Sequence, residues 1–282
     1  MKVAKWKDYR VLQTGDGYKL ERWKDVYLLR PDPQIIWKSK TDMRKFPDLN
    51  AEYIRSETGG GKWNIIKDFP SEWTVSYNGL NFLIKPMGFK HTGLFPEQAV
   101  NWDRMAELIK NANREIKVLN LFAYTGGATV ACLSAGASVC HVDAAKNMVE
   151  RAKENVKLSG LSDKNVRYIV DDCKKFVQRE IRRGNKYDAI IMDPPSYGRG
   201  PNGETWKLEN ELYSLVELCK RVLSDNPLFF LINSYTTGLQ PQVIKNVLTL
   251  IMEGGKTESD EIGVETDEGI ILPCGCSGLW TR

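Results

Sequence analysis

The spacing of apolar residues changes near residue 86, and the change divides the chain. Before it, short apolar runs alternate with turn clusters. Runs at 9–12 and 26–30 flank Thr14-Gly15-Asp16-Gly17, and 34–37 reads as a further strand after Pro31 and Pro33. Residues 74–85 read as a hairpin closed by Asn78-Gly79, a pair that tolerates the left-handed backbone of a two-residue hairpin turn. Thr58-Gly59-Gly60-Gly61-Lys62 lacks the spacing and the following Ser/Thr of a phosphate loop and reads as a turn.

Beyond residue 86, apolar runs at 117–123, 138–143, 166–171, 187–193 and 227–234 alternate with helical patterns. One helix opens at Phe95-Pro96 and runs through Ile109. Another, over 147–159, sets Met148, Val149, Ala152 and Val156 on one face. Two more strands are expected around 258–264 and 269–281. Strands that alternate with helices build a parallel sheet covered on both sides. The expected fold is α/β: a Rossmann-like, mostly parallel sheet of seven strands over 76–282, after a small β-rich domain over 1–75.

Candidate chemistry collects where these runs end. The first passes into Phe122-Ala123-Tyr124-Thr125-Gly126-Gly127, and the second ends in Asp143-Ala144. Glycine lets a backbone approach a ligand, and a strand-end carboxylate accepts from ribose hydroxyls, the plan of a nucleotide-type cofactor site. The glycines are adjacent, so the spaced GxGxxG of nicotinamide oxidoreductases is absent. The third run ends in Asp171-Asp172-Cys173. Two roles compete for the two acids, accepting from an adenine amine and capping the next helix; one each fills both. The fourth ends in Asp193-Pro194-Pro195-Ser196-Tyr197. Prolines give no amide donors and stop a central strand. Their flanking carbonyls and Asp193 form a cluster of acceptors, suited to a planar exocyclic amine. Tyr197 is placed to stack on the ring that carries it.

Composition narrows the class. The 282 residues are 42% hydrophobic and 27% charged, as in globular proteins, and hold no run of membrane-spanning length. The six cysteines form no CxxC pair, so neither a disulfide framework nor a metal site is expected, and the reading is a reduced cytoplasmic protein. The net charge of +4 is uneven: residues 1–100 hold 17 Lys+Arg against 12 Asp+Glu. Trp6, Trp23, Trp37, Trp63 and Trp73 lie in the same segment. Cations and rings suit RNA, and a small β-domain needs aromatics for its core; both readings stand. Arg199 and Lys207 are likewise either phosphate contacts or solvated charges. Of the two histidines, His141 sits inside a strand and reads as structural.

Taken together, Asn-Leu-Phe-Ala-Tyr-Thr-Gly-Gly at 120–127, Asp143, Asp172 and Asp-Pro-Pro-Ser-Tyr-Gly at 193–198 resemble class I S-adenosylmethionine-dependent methyltransferases. The run from about 86 to 282 looks like the bacterial 23S ribosomal RNA large-subunit methyltransferase family. Residues 92–98 resemble the family segment that borders the cofactor. The resemblance therefore implies a cofactor site of Phe95, Gln98, Phe122, Ala123, Tyr124, Thr125, Gly126, Gly127, Asp143, Ala144, Asp171, Asp172, Cys173 and Asp193. It implies S-adenosylmethionine as cofactor, S-adenosylhomocysteine as product and ribosomal RNA as partner. Asp193, Pro194, Pro195 and Tyr197 take the catalytic roles.

The chain departs from that family twice. Members often begin with a PUA-type RNA-binding domain, which 1–75 does not resemble. Cytosine-C5 transfer needs a thiolate, and no cysteine follows the fourth or fifth strand; Cys173, Cys219, Cys274 and Cys276 lie elsewhere. Transfer to a base nitrogen is therefore expected. The alternatives are RNA cytosine-C5 transfer, a protein or small-molecule acceptor, a nicotinamide oxidoreductase and a non-catalytic RNA-binding protein.

Overall fold

The computed structural model describes residues 1–56, 60–88, 90–199, 205–235 and 238–282. The chain forms two compact units: Val3–Ala99 with Gly263–Pro273, and Met1–Lys2 with Val100–Ile262 and Cys274–Arg282. The strands are β1 (Lys2–Val3), β2 (Tyr9–Gly15), β3 (Tyr18–Trp23), β4 (Val26–Pro31), β5 (Ala51–Arg55), β6 (Gly61–Ile65), β7 (Trp73–Tyr77) and β8 (Leu80–Ile84). After them come α1 (Ala99–Asn111), β9 (Lys117–Leu121), α2 (Gly127–Ser134), β10 (Ser138–Asp143), α3 (Lys146–Leu158), β11 (Val166–Val170) and α4 (Cys173–Arg183). The remainder are β12 (Ala189–Met192), β13 (Tyr197–Arg199), β14 (Thr205–Lys207), α5 (Leu208–Lys220), β15 (Phe229–Ser234), α6 (Pro241–Ile251), β16 (Lys256–Glu265) and β17 (Ile271–Thr281).

In the smaller unit, β2–β6 form a five-stranded sheet in chain order, and β7–β8 form the hairpin. Asn78 (φ 47°) and Gly79 (φ 82°) close that hairpin in the left-handed conformation its sequence suggests. Residues 34–37 are not a strand: Ile35 N–H bonds back to the Asp32 carbonyl and Ile36 N–H to Gln34, a turn after Pro33. A strand absent from the sequence reading, β3, pairs antiparallel with β2 and β4. The unit extends past residue 75, where the sequence pattern placed the boundary. The Trp73 indole donates to the Trp23 carbonyl, Trp63 to Met87, and Trp6 to Pro96. The segment Gly263–Pro273 joins through Arg10–Asp267 and Thr14–Glu268. Arg30 and Glu21 form a buried pair with the Tyr9 hydroxyl donating to Glu21, which offsets the desolvation of both charges.

The larger unit carries one sheet in the order β1-β16-β17-β15-β12-β9-β10-β11. The two residues of β1 make eight strands where seven were expected. Strands β11, β10, β9, β12 and β15 are parallel, and β17 is antiparallel to β15. The chain runs outward from β9 to β11, then crosses to β12. That reversal leaves a crevice between the carboxyl ends of β9 and β12. Side chains alternate across each strand. Leu119, Leu121, Val142, Ile190 and Phe230 pack in the core with α4–α6, whereas Asn120 and His141 face α2.

Candidate active site

Register brings the predicted strand ends to one edge. Leu121 pairs with Val142 and with Met192, and Asp143 pairs with Val170. The segment 122–127, Asp143, Asp171–Cys173 and Asp193 therefore leave the sheet side by side.

The turn after β9 has an unusual backbone. Phe122 (φ 54°), Tyr124 (φ 50°) and Gly126 (φ 81°) all adopt left-handed conformations. Each non-glycine residue in that region costs roughly 1–3 kcal/mol and persists only where its surroundings hold it. Phe122 N–H donates to Cys173 Sγ at 3.3 Å and Tyr124 N–H to Asp143 Oδ2 at 2.8 Å. Ala123 N–H reaches the Val142 carbonyl at 3.1 Å, and Asn155 Nδ2 donates to the Thr125 carbonyl at 2.8 Å.

The glycine pair answers to packing as well as to φ. A Cβ on Gly126 would lie 2.8 Å from the Ala152 Cβ, and one on Gly127 would lie 2.5 Å from the Trp102 ring. Helices α3 and α1 thus approach the turn from behind. Gly126 precedes α2, whose first amides have no intrahelical partner and carry the positive end of the helix dipole.

Asp143 accepts Tyr124 N–H with one oxygen and Ala145 N–H with the other, both at 2.8 Å. Burial pushes its carboxyl above the ordinary range, against the pull of those amides. Each oxygen keeps a lone pair, so ribose hydroxyls can still be accepted. Exposed Ala144 lies in the turn that follows. The two acids after β11 divide their work: Asp172 caps α4 by accepting Lys175 N–H at 2.8 Å, and Asp171 pairs with Arg179. Cys173, the first residue of α4, is buried, and burial pushes its thiol well up. A carboxylate for hydroxyls, an acid beside β11 and orphan amides at a helix start fit S-adenosylmethionine.

At the end of β12, Asp193 is half-buried, Pro194 buried, and Pro195 to Tyr197 exposed. Asp193 N–H reaches the Leu121 carbonyl only at 3.4 Å. Tyr197 begins β13 opposite Lys207 of β14. Beneath the turn after β9, Asn120 Nδ2 donates to Thr129 Oγ1, which contacts His141 Nδ1 at 2.9 Å. Burial lowers the His141 pKa to about 3, so the ring is neutral. Phe95 and Gln98 lie in the smaller unit, where Phe95 precedes and buried Gln98 ends a 3₁₀ turn at Pro96–Gln98. Sequence reasoning missed Asn155 and Trp206; neither stands in a motif.

A family model of S-adenosylmethionine-dependent methyltransferases matches residues 53–238. The chain belongs to this family. A solved S-adenosylmethionine-dependent methyltransferase from Agrobacterium tumefaciens is 33% identical with a TM-score of 0.92, over 99% of this chain and 91% of that one. The ribosomal RNA large subunit methyltransferase I of Alteromonas mediterranea is 30% identical over 60% of this chain and 40% of its own length. The K/L enzyme of Shewanella frigidimarina is 30% identical over 60% of this chain and 23% of its own. The chain thus spans less than half of these two curated relatives. In this family member, none of the described helices is long and apolar enough to cross a membrane. Its described residues hold no cluster of potential metal ligands.

Proposed function

We propose that the protein transfers a methyl group from S-adenosylmethionine to a base nitrogen of ribosomal RNA. The observation that carries the reading is the shared edge: the Asp143 exit and the Asp193-Pro194-Pro195 exit flank the same β9 turn. When bound, the cofactor supplies an electrophilic methyl on a sulfonium. The turn 122–127 and the α2 amides hold its amino-acid portion, Asp143 its ribose, and the second oxygen of Asp172 its adenine amine. Asp193 and the Pro194 carbonyl orient the acceptor amine and stabilise the positive charge it develops. Tyr197 stacks on the acceptor ring, which must leave any helix to reach it.

Ribosomal RNA is favoured by the relatives' names, and nitrogen by the cysteines. Burial pushes the thiols of Cys132 and Cys276 to about 12 and 11, and those of Cys173 and Cys219 well up. None of these four supplies the thiolate of carbon-5 chemistry at neutral pH, and Cys274 stands two residues from Cys276 on β17 rather than after β12 or β15. A cytoplasmic location goes with this reading.

The N-terminal aromatics are committed to their own unit. The indoles of Trp6, Trp37, Trp63 and Trp73 all donate within it. They serve as core and clasps there, so RNA contact falls to its surface cations. The test is transfer of labelled methyl into unmodified 23S ribosomal RNA, with the modified nucleoside identified by mass spectrometry. A methylated guanine or adenine amine is expected. 5-Methylcytosine would overturn the nitrogen assignment, and labelling of protein or small molecules alone would overturn the RNA acceptor.

A further inference from the structure

Trp206 belongs to no motif, yet it touches both strand exits. In the β13–β14 ribbon Gly198 lies opposite Trp206. The Trp206 indole N–H donates to the Pro195 carbonyl at 2.6 Å. The ring meets Phe122, with centroids 5.6 Å apart and planes at 46°. Both rings pack against the core beneath α4–α6.

The physical need for this contact follows from the prolines. Pro194 and Pro195 have no N–H, so a segment built on them is held only through its carbonyls or by packing. Asp193 N–H donates to the Leu121 carbonyl at 3.4 Å, and the Ser196 carbonyl accepts Leu208 N–H at 3.1 Å. The indole bond is shorter than either. It also occupies the Pro195 carbonyl, which takes that acceptor out of the row that Asp193 begins.

We propose that Trp206 is a positioning residue for methyl transfer. It holds the Pro195 carbonyl while its ring abuts Phe122, so the spacing between the cofactor turn and the acceptor segment is set by one side chain. The inference rests on the reading that Asp193–Pro195 receives the acceptor. Its consequence is a split: the N–H serves the acceptor side, and the ring serves the cofactor side.

Trp206→Phe removes the N–H and keeps an aromatic ring; Trp206→Leu removes both. Three measurements separate the effects: methyl transfer to unmodified 23S ribosomal RNA, calorimetric S-adenosylhomocysteine binding, and ¹H–¹⁵N spectra of the indoles. The Trp206 indole signal, assigned by its loss in Trp206→Phe, is expected to move when S-adenosylhomocysteine is added. Trp206→Phe should lower kcat about tenfold, as for one lost hydrogen bond, with S-adenosylhomocysteine affinity within about twofold. Trp206→Leu should in addition weaken that affinity several-fold. Unchanged kcat in Trp206→Phe, or a fall matched by lost cofactor affinity, overturns the assignment. If the wild type methylates no RNA, the acceptor reading fails by itself. The indole signal then decides: indifference to S-adenosylhomocysteine overturns the coupling, and a shift supports it.

Discussion

The two strand exits of the site are held by opposite means. After β9 the backbone is rich in amides in costly conformations, and acceptors restrain them: Cys173 Sγ for Phe122, Asp143 for Tyr124. After β12 the prolines remove the amides, and a donor, the Trp206 indole, restrains a carbonyl. The groups gathered at each exit differ in the same way. The exit after β9 carries helix amides and a carboxylate; the exit after β12 carries carbonyls and Asp193. A ligand carrying a carboxylate and hydroxyls suits the first, and an amine donor suits the second.

The largest expected effect tests this division directly. Asp193→Ala should lower kcat by a factor of about 10²–10³, the scale of losing one preorganised electrostatic partner. S-adenosylhomocysteine affinity should stay within about threefold. Equal losses of both would merge the two sides. Next comes Gly126→Ala. Its φ of 81° and the 2.8 Å approach to the Ala152 Cβ combine strain with overlap. A loss of about 2–4 kcal/mol in urea unfolding is expected, and a stability equal to wild type would show that the turn yields easily.

A third prediction concerns the neutral layer beneath the turn after β9. His141 titrates at about 3 in the fold and near 6.5 when unfolded, so the unfolded chain takes up the proton first. Its contribution to stability is complete above pH 6.5 and is lost as pH falls toward 3, by up to about 1.4 kcal/mol per pH unit. His141→Gln should flatten the unfolding free energy between pH 6.5 and 5 relative to wild type. His91, also lowered to about 3 by burial, leaves a residual slope. Parallel curves for the two proteins would show that His141 gains no proton on unfolding. The smallest effect is expected for Asp172→Ala, about 1 kcal/mol for a lost helix cap. Calorimetry then sharpens the picture: weaker S-adenosylhomocysteine binding marks an adenine contact, and unchanged binding leaves the acid a cap alone.

Much of the architecture was legible because it is local. Period and punctuation mark β10 at 138–143 and put the ends of β9, β11 and β12 within a residue or two of the observed ones. The Asn78-Gly79 turn likewise follows from two residues with access to positive φ. Resemblance to a family supplied the cofactor, which spacing alone left open. The turn at 34–37 carries no such mark, because four apolar-rich residues look alike in a strand and a turn. Only the hydrogen bonds to Asp32 and Gln34 distinguish them.

By itself, then, the sequence determined the alternating α/β plan, the glycine turn and the row of acids at strand ends, since each is written in neighbouring residues. The tertiary structure alone decided what those residues do for one another. It assigned the helix cap to Asp172 and an arginine to Asp171. It set Ala152 and Trp102 behind the glycines, and brought Trp206 onto the Pro195 carbonyl. It also moved the unit boundary to Ala99. These pairings depend on which distant segments the fold brings within contact distance, and no local period carries that information.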